Sequence, residues 1–354
     1  MNFKNKKVLI TGHTGFKGSW LSIWLNNLGA EVYGISNGVV SNPSHFSVAG
    51  VSEIIDDIRI DINDYKALES CLKRVKPDFV FHLAAQALVG ESYAHPIETI
   101  TTNTIGTANL LQALRKVDNN IIAIIITSDK AYENVEWNWG YRENDRIGGK
   151  DPYSASKGMA ELVINSFFKS FFIQNETNVK IGVTRAGNVI GGGDWADNRI
   201  VPDCVKAWSK NQTVDIRNPR STRPWQHVLE PLGGYIILAN KLSESAELNG
   251  EAFNFGPLSD QNHTVEQLIN EMGKYWENVR WNDTSKENEL FYEASLLKLN
   301  CDKALSLLGW KSKLNFGDTV EMTINWYKEF YNNPKKSMID FSVGQIEKYS
   351  KLIF

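Results

Sequence analysis

Three glycines, Gly12, Gly15 and Gly18, sit between a short apolar strand pattern at Lys7 to Ile10 and a long apolar helix pattern at Phe16 to Leu28. No other feature narrows the fold as much. Glycine at these places lets backbone approach a ligand closely, and the helix that follows aims its unsatisfied N–H groups at the same point. A pyrophosphate uses both properties. The spacing is GxxGxxG. Three glycines alone are weak evidence. Directly after the first strand of an alternating chain, they point to cofactor binding rather than to a tight turn.

The alternation continues through Ala30 to Ile35, Asp64 to Val75 and Phe79 to Leu83, which implies consecutive strand–helix–strand units and a parallel sheet. The run Ile121 to Thr127 is apolar nearly throughout, as in a central strand covered on both faces. The expected class is therefore α/β: a Rossmann-type doubly wound parallel sheet with a smaller C-terminal substrate-binding lobe. The dinucleotide domain is expected over residues 1–186 with about 228–256 returning to it, and the substrate lobe over 187–227 and 257–354. From Gly187 to about Arg223 the chain is irregular and rich in Gly, Asn, Asp, Arg and Pro, which suits a ligand-facing lobe of loops. Helices are expected from about Pro96 to Arg115 and from Tyr153 to Phe172. Both have apolar residues on more than one face, so a homodimer or homotetramer is expected.

Charge and cysteine usage exclude other classes. The formal net charge is -3, which provides no field to hold a polyanion, so nucleic acid is not an expected partner. Cys71, Cys204 and Cys301 lie far apart and match neither a metal pattern nor a disulfide framework. His82 and His227 read as a strand-end residue near the cofactor and a packing residue of the substrate lobe, and no metal site is expected. The apolar run behind the basic N-terminus breaks at Thr11-Gly12, and no stretch approaches the roughly 18 apolar residues of a membrane span. A cytoplasmic protein is expected.

Two clusters carry chemistry. Tyr153 and Lys157 stand four apart on one helix face, where the ammonium is expected to lower the phenol's pKa from about 10 toward neutrality. Ser128-Asp129-Lys130 emerges from the buried strand at the sheet's carboxyl edge, where such folds bind ligands. Ser128 is placed to hydrogen-bond a substrate oxygen beside Tyr153, while Asp129 and Lys130 add an acid and a base that plain alcohol oxidation does not need. The ribose-binding acid expected about 20 residues after the glycine turn is missing: Val32 to Ser52 contains no Asp, Glu, Lys or Arg. The choice between NAD and its phosphorylated form stays open on these residues. Asp61-Ile62 either cradles adenine or caps a turn.

Thr11 to Gly18, His82 to Gln86, Thr127 to Lys130, Tyr153 to Lys157 and Arg185 to Asn188 resemble the extended short-chain dehydrogenase/reductase family. Tyr132 to Asn134, Trp139 to Glu143, Gly191 to Trp195 and Arg223 to His227 are similar to motifs of its CDP-glucose 4,6-dehydratase branch. The chain departs from that pattern at Ala87, Gly90 and Asn63.

The resemblance implies NAD as cofactor, held by Gly12, Thr14, Gly15, Phe16, Lys17, Gly18, Asp61, Ile62, Leu83, Ala84, Ala85, Gln86, Thr102, Thr127, Tyr153 and Lys157. It implies a nucleotide-sugar substrate, CDP-glucose, met by Gln86, Asn103, Ser128, Asn188, Arg199, Arg217 and Arg223. In the implied reaction Tyr153, helped by Lys157 and Ser128, deprotonates the hydroxyl on sugar carbon 4. Lys130 then takes the proton from carbon 5, and Asp129 protonates the hydroxyl leaving carbon 6. A base at Lys130 must be neutral part of the time, and Lys157 is the candidate neighbour for depressing its pKa. Two alternatives stand beside this reading: dehydration or 4-epimerisation of another nucleotide sugar, and a cofactor-sensing module that has lost its chemistry.

Overall fold

The computed structural model describes residues 3–173, 177–285 and 296–354. Seven strands form its central sheet: β1 (Lys7–Thr11), β2 (Glu31–Ser36), β3 (Asp56–Arg59), β4 (Phe79–His82), β5 (Ile121–Ile126), β6 (Val179–Ala186) and β7 (Ala252–Phe255). They lie in the order β7-β6-β5-β4-β1-β2-β3, and every pairing is parallel. The order reverses direction between β1 and β4, which opens a crevice at the carboxyl ends of those strands.

Alternate residues of the central strands serve opposite cores, as the two-residue period of a strand requires. Val8 and Ile10 of β1, with Ile122, Ile124 and Ile126 of β5, face one cluster; Leu9, Ile121, Ala123 and Ile125 face the other. Helices α2 (Tyr65–Val75), α3 (Gly106–Leu114) and α4 (Pro152–Phe167) cover the second face. The first face is covered by α1 (Phe16–Asn27) and α5 (Leu229–Glu244). Onto these pack the C-terminal helices α6 (Phe316–Asn332) and α7 (Ile339–Ile353), so one apolar cluster runs from the sheet to the end of the chain. A buried carboxylate, Glu230, fastens this layer: it accepts from Lys313 N (2.8 Å), Leu314 N (2.6 Å) and Tyr349 Oη (2.6 Å).

The helix expected as one piece from Pro96 to Arg115 is interrupted. An α-helical turn at Pro96–Ile100 widens into a π-helical segment at Thr101–Ile105 before α3 begins. Side chains facing α4 account for the widening: Asn103 Nδ2 donates to Ser156 Oγ (2.8 Å) and Thr104 Oγ1 to Ser156 O (3.2 Å). The second long helix likewise ends in a π-helical segment, Phe168–Phe172. Residues 187–227 supply the helix Ile200–Trp208 and short strands, among them Val189–Ile190, which pairs with Gln226–His227. Among the described residues no helix is long and apolar enough to cross a membrane.

Candidate active site

The glycine turn is shaped by backbone contact. Gly12 has φ +74°, and a Cβ there would lie 2.7 Å from the Ala84 nitrogen; a Cβ on Gly18 would lie 2.1 Å from the Gly12 carbonyl oxygen. Only glycine fits either place. Helix α1 starts at Gly15 with no side-chain cap and no acidic residue in its first turn, which leaves its leading N–H groups open to an anion. Leu83 N donates to Thr11 O (3.0 Å) and Ala84 N to Thr11 Oγ1 (3.2 Å), so Leu83 and Ala84 line the same crevice mouth, with Ala85 next in the chain. This cradle fits a dinucleotide.

Several residues expected at the cofactor are engaged within the protein. Thr14 Oγ1 bonds Ser36 Oγ (2.8 Å) and Gly38 O (2.6 Å). Thr127 Oγ1 donates to Glu161 Oε1 (2.5 Å). Asp61 closes a turn by accepting from Asn63 N (2.8 Å) and also accepts from Asn37 (3.2 Å), which is the turn-capping alternative. Ile62 is buried, and its side chain reaches the place a Cβ on Gly106 would take (2.5 Å). Thr102 sits half-buried in the π-helical segment.

Sequence reasoning missed Arg59. The β2–β3 register sets it beside Ser36 at the end of β2, where no charge was found, and it is tied to Asp57 at 2.7 Å. His82 bridges Thr11 (2.7 Å) and Thr107 (3.0 Å), and burial lowers its pKa to about 3, so it is neutral.

Helix α4 is started by Asp151, whose carboxylate accepts from Ser154 N (2.9 Å) and Ser154 Oγ (2.6 Å), with Pro152 at the first helical position. Tyr153 is thereby fixed at a well-anchored helix start. Ser128 Oγ donates to Asp129 Oδ1 (2.9 Å), accepts from Lys130 N (3.2 Å) and hydrogen-bonds Tyr153. Asp129 is buried against Gly187, where a Cβ would lie 3.1 Å from its Oδ2. Burial raises the Asp129 pKa despite Lys130, Ser128 and Lys17 nearby, which favours the neutral acid. Lys130 is half-buried.

One expectation is corrected. Lys157 does not bring the Tyr153 phenol toward neutrality: burial dominates and pushes Tyr153 up to about 12, opposed by Ser128 and Arg199. Lys157 shares the helix face, but its ammonium acts on Glu161, His82 and Lys17 instead. Burial lowers Lys157 to about 8, and does the same to Lys17, whose charge is attracted by Asp129.

The expected substrate residues divide. Gln86 is folded onto its own loop: its Nε2 donates to Leu88 O (2.9 Å) and Thr99 Oγ1 (2.9 Å), and its Oε1 accepts from Leu88 N (2.5 Å). Asn103 is buried and joins Gln86 N (2.8 Å) and Gln86 O (3.0 Å) to Ser156. Both shape the loop from within. Arg199 is drawn to the site, held by Asp194 at 2.7 Å and electrostatically coupled to Tyr153. Asn188 accepts from Gln226 N at its backbone (3.3 Å), and Arg223 is buried in the adjoining short strand. Arg217 is exposed, its charge acting on Asp203.

The three glycines Gly191 to Gly193 serve packing. Their missing side chains admit Phe16, Trp326 and His45, and Trp20 Nε1 donates to Gly192 O (2.9 Å). His227 is fully buried, with its ring 6.2 Å from that of Trp20 on α1. Among the described residues no cluster of His, Cys, Asp or Glu could hold a metal ion.

Residues 9–323 match the family model described as GDP-mannose 4,6 dehydratase. The chain belongs to this family. Within it, the chain is 43% identical to the CDP-glucose 4,6-dehydratase of Salmonella typhimurium over 98% of its own length and 97% of that protein. Solved structures of the family's wider fold include a Bacillus cereus UDP-glucuronic acid 4-epimerase in complex with UDP-glucuronic acid and NAD. It superposes with TM-score 0.77 at 22% identity, covering 92% of this chain and 100% of that one. A Thermotoga maritima UDP-glucose 4-epimerase with UDP-glucose superposes with TM-score 0.75 at 23% identity, covering 91% and 99%. These likenesses agree with the seven-stranded parallel sheet described above.

Proposed function

We propose that this chain is a hydro-lyase that uses tightly bound NAD to convert CDP-D-glucose to CDP-4-dehydro-6-deoxy-D-glucose, supplying deoxysugar for a surface polysaccharide. One observation carries the reading: a buried acid and a lysine stand side by side at the end of β5, and Ser128 links that acid to Tyr153. Epimerisation at carbon 4 has no use for such an acid. The 43% identity to a CDP-glucose 4,6-dehydratase over nearly the whole chain supports the cytidine sugar as substrate.

The glycine cradle Gly12 to Gly18, the open N-terminus of α1 and the mouth formed by Leu83, Ala84 and Ala85 would hold NAD. When bound, it would supply a hydride acceptor for carbon 4 and give the same hydride back at carbon 6. Tyr153 takes the proton of the carbon-4 hydroxyl, with Ser128 holding the same oxygen. The carbon-4 ketone acidifies the proton on carbon 5. Lys130 removes that proton and later returns it. Asp129, kept protonated by burial, gives its proton to the hydroxyl leaving carbon 6 as water. Arg199, together with Arg223 and Asn188, grips the substrate pyrophosphate, since a guanidinium meets phosphate oxygens two at a time.

The chain would divide as 1–186 with 228–256, holding the cofactor, and 187–227 with 257–354, holding the sugar nucleotide. We place it in the cytoplasm as a homodimer or homotetramer. The apolar side chains Ile97, 72% exposed on the turn Pro96–Ile100, and Leu162, 60% exposed on α4, support the assembly.

The test is to incubate the purified chain and NAD with CDP-glucose and, in parallel, with UDP, dTDP and GDP sugars. Alkali-induced absorbance of 4-keto-6-deoxy products is followed. A keto product from the cytidine sugar alone is expected. A stronger response to another nucleotide overturns the base assignment. Failure with every sugar overturns the dehydratase reading.

A further inference from the structure

Glu161 lies one helical turn beyond Lys157 on α4 and is almost wholly buried. Its Oε1 accepts from Thr127 Oγ1 (2.5 Å) and Arg185 Nε (2.8 Å), and its Oε2 from Arg185 Nη2 (3.0 Å). Arg185 Nη1 donates in turn to Tyr132 Oη (2.6 Å) and to Glu143 O (2.9 Å), and its guanidinium lies 4.8 Å from the Tyr132 ring centre. Tyr132 Oη donates to Asn254 Oδ1 (2.8 Å) on β7. One carboxylate therefore ties the catalytic helix to the end of β5 directly, to β6 through Arg185, and to β7 through Tyr132.

Two links reach the chemistry. Thr127 precedes Ser128 and Asp129 with no intervening residue, so the hydroxyl that Glu161 holds sets the place where that pair leaves the strand. Among the described residues, Glu161 is also the carboxylate that raises the pKa of Lys157, against the burial that brings it to about 8. The other groups whose charges meet Lys157 are His82, at the end of β4 and neutral, and Lys17 on α1, a cation. Neither supplies a counter-charge. A buried ion pair is seldom the cheapest way to fill a core, which makes this one a candidate for a functional duty.

We propose that Glu161 is a positioning residue for the dehydration read above: through Thr127 it fixes the backbone carrying Ser128 and Asp129, and one helical turn from Lys157 it stands as the buried anion of that helix. The inference rests on the proposed function for its substrate. Its geometry involves this chain alone.

The experiment compares the wild-type chain with E161Q and with E161Q/R185M, which replaces the whole ion pair by neutral groups and guards against simple misfolding. With CDP-glucose and NAD, E161Q is expected to lose ~10- to 100-fold in kcat with KM little changed, as misplacement of catalytic groups does. The alkaline limb of its pH profile is expected at lower pH than in the wild type, because the buried ammonium has lost its counter-charge. Lys17 is also lowered to about 8, but Glu161 is not among the groups acting on it, so a limb that moves belongs to Lys157. E161Q/R185M is expected to melt close to the wild type and to keep the displaced limb. A limb that stays in place in both variants overturns the proposal, leaving Glu161 a purely structural residue.

A second readout needs no substrate. The drop in Tm caused by E161Q is expected to be smaller in a K157M background than in the wild type, since the two charges then no longer meet. Equal drops overturn the proposal. A wild-type chain inert toward every nucleotide sugar defeats the function above, and this cycle then decides the role of Glu161 alone.

Discussion

Asp129 and Lys130 are neighbours in the chain for which we propose opposite tasks, acid and base, and their surroundings differ. Asp129 is buried against Gly187, while Lys130 is half-buried. The two roles separate by experiment. Lys130→Ala is expected to lower kcat by ~10²–10⁴-fold and to abolish solvent deuterium uptake at sugar carbon 5. Asp129→Asn is expected to lower kcat similarly while keeping that uptake, because the base still works and only the departure of water stalls. Mass spectrometry of recovered sugar nucleotide in deuterated buffer decides; uptake in the lysine variant sinks its assignment. These residues were legible because catalysis needs particular groups at particular spacings. Their electrostatics were not. Four residues on a helix bring Tyr153 and Lys157 to one face, yet spacing carries no record of burial, and burial outweighs every neighbour in setting Tyr153.

Helix α4 shows what one element does for the site. Asp151 at its N-cap satisfies the first turn, and Tyr153 follows two residues later. Asp151→Ala is expected to cost about 1 kcal/mol of stability, the usual worth of an N-cap, and to lower kcat more than that loss explains, because the phenol rides on the frayed turn. Urea unfolding together with kcat tests this; normal kcat in a destabilised chain defeats the positioning claim. Strands β1, β2, β4 and β5 were readable to within a residue, since an apolar run between polar ends has few other uses, whereas β3, with the sequence Asp-Asp-Ile-Arg, carries no such run. The widening of the Pro96 helix was not readable. It depends on Asn103 and Thr104 meeting Ser156, about fifty residues away in sequence, and local propensity holds no trace of that contact.

At the scale of the molecule, two surfaces remain to be explained, one outside and one inside. Outside, Ile97 and Leu162 stand exposed on neighbouring helices. Leu162→Arg is expected to turn an oligomer into a monomer by light scattering, and an unchanged mass shows that this face is not the interface. Inside, the sheet, α1 and the C-terminal helices share one core, a continuity the sequence could not reveal because α6 and α7 lie far along the chain from α1. His45 stands at this junction, bonded to Ser342 at 3.0 Å and 4.6 Å from the Trp20 ring.

Burial lowers the pKa of His45, His82 and His227 to about 3 each. The unfolded chain binds these three protons near pH 6.5, whereas the native chain refuses them until about pH 3. Their contribution is therefore complete above about pH 6.5 and is lost as pH falls toward 3, at roughly 1.4 kcal/mol per pH unit for each histidine. Asp203, raised to about 6, and Asp129 and Glu230, also raised, act in the opposite sense, because the native chain takes their protons first. The wild-type curve mixes both. The difference between wild type and His45→Gln isolates one histidine: between pH 6 and 4, the variant's unfolding free energy should fall less steeply by about 1.4 kcal/mol per unit. Urea midpoints across that range measure it, and parallel curves would mean that His45 takes up its proton in the folded chain.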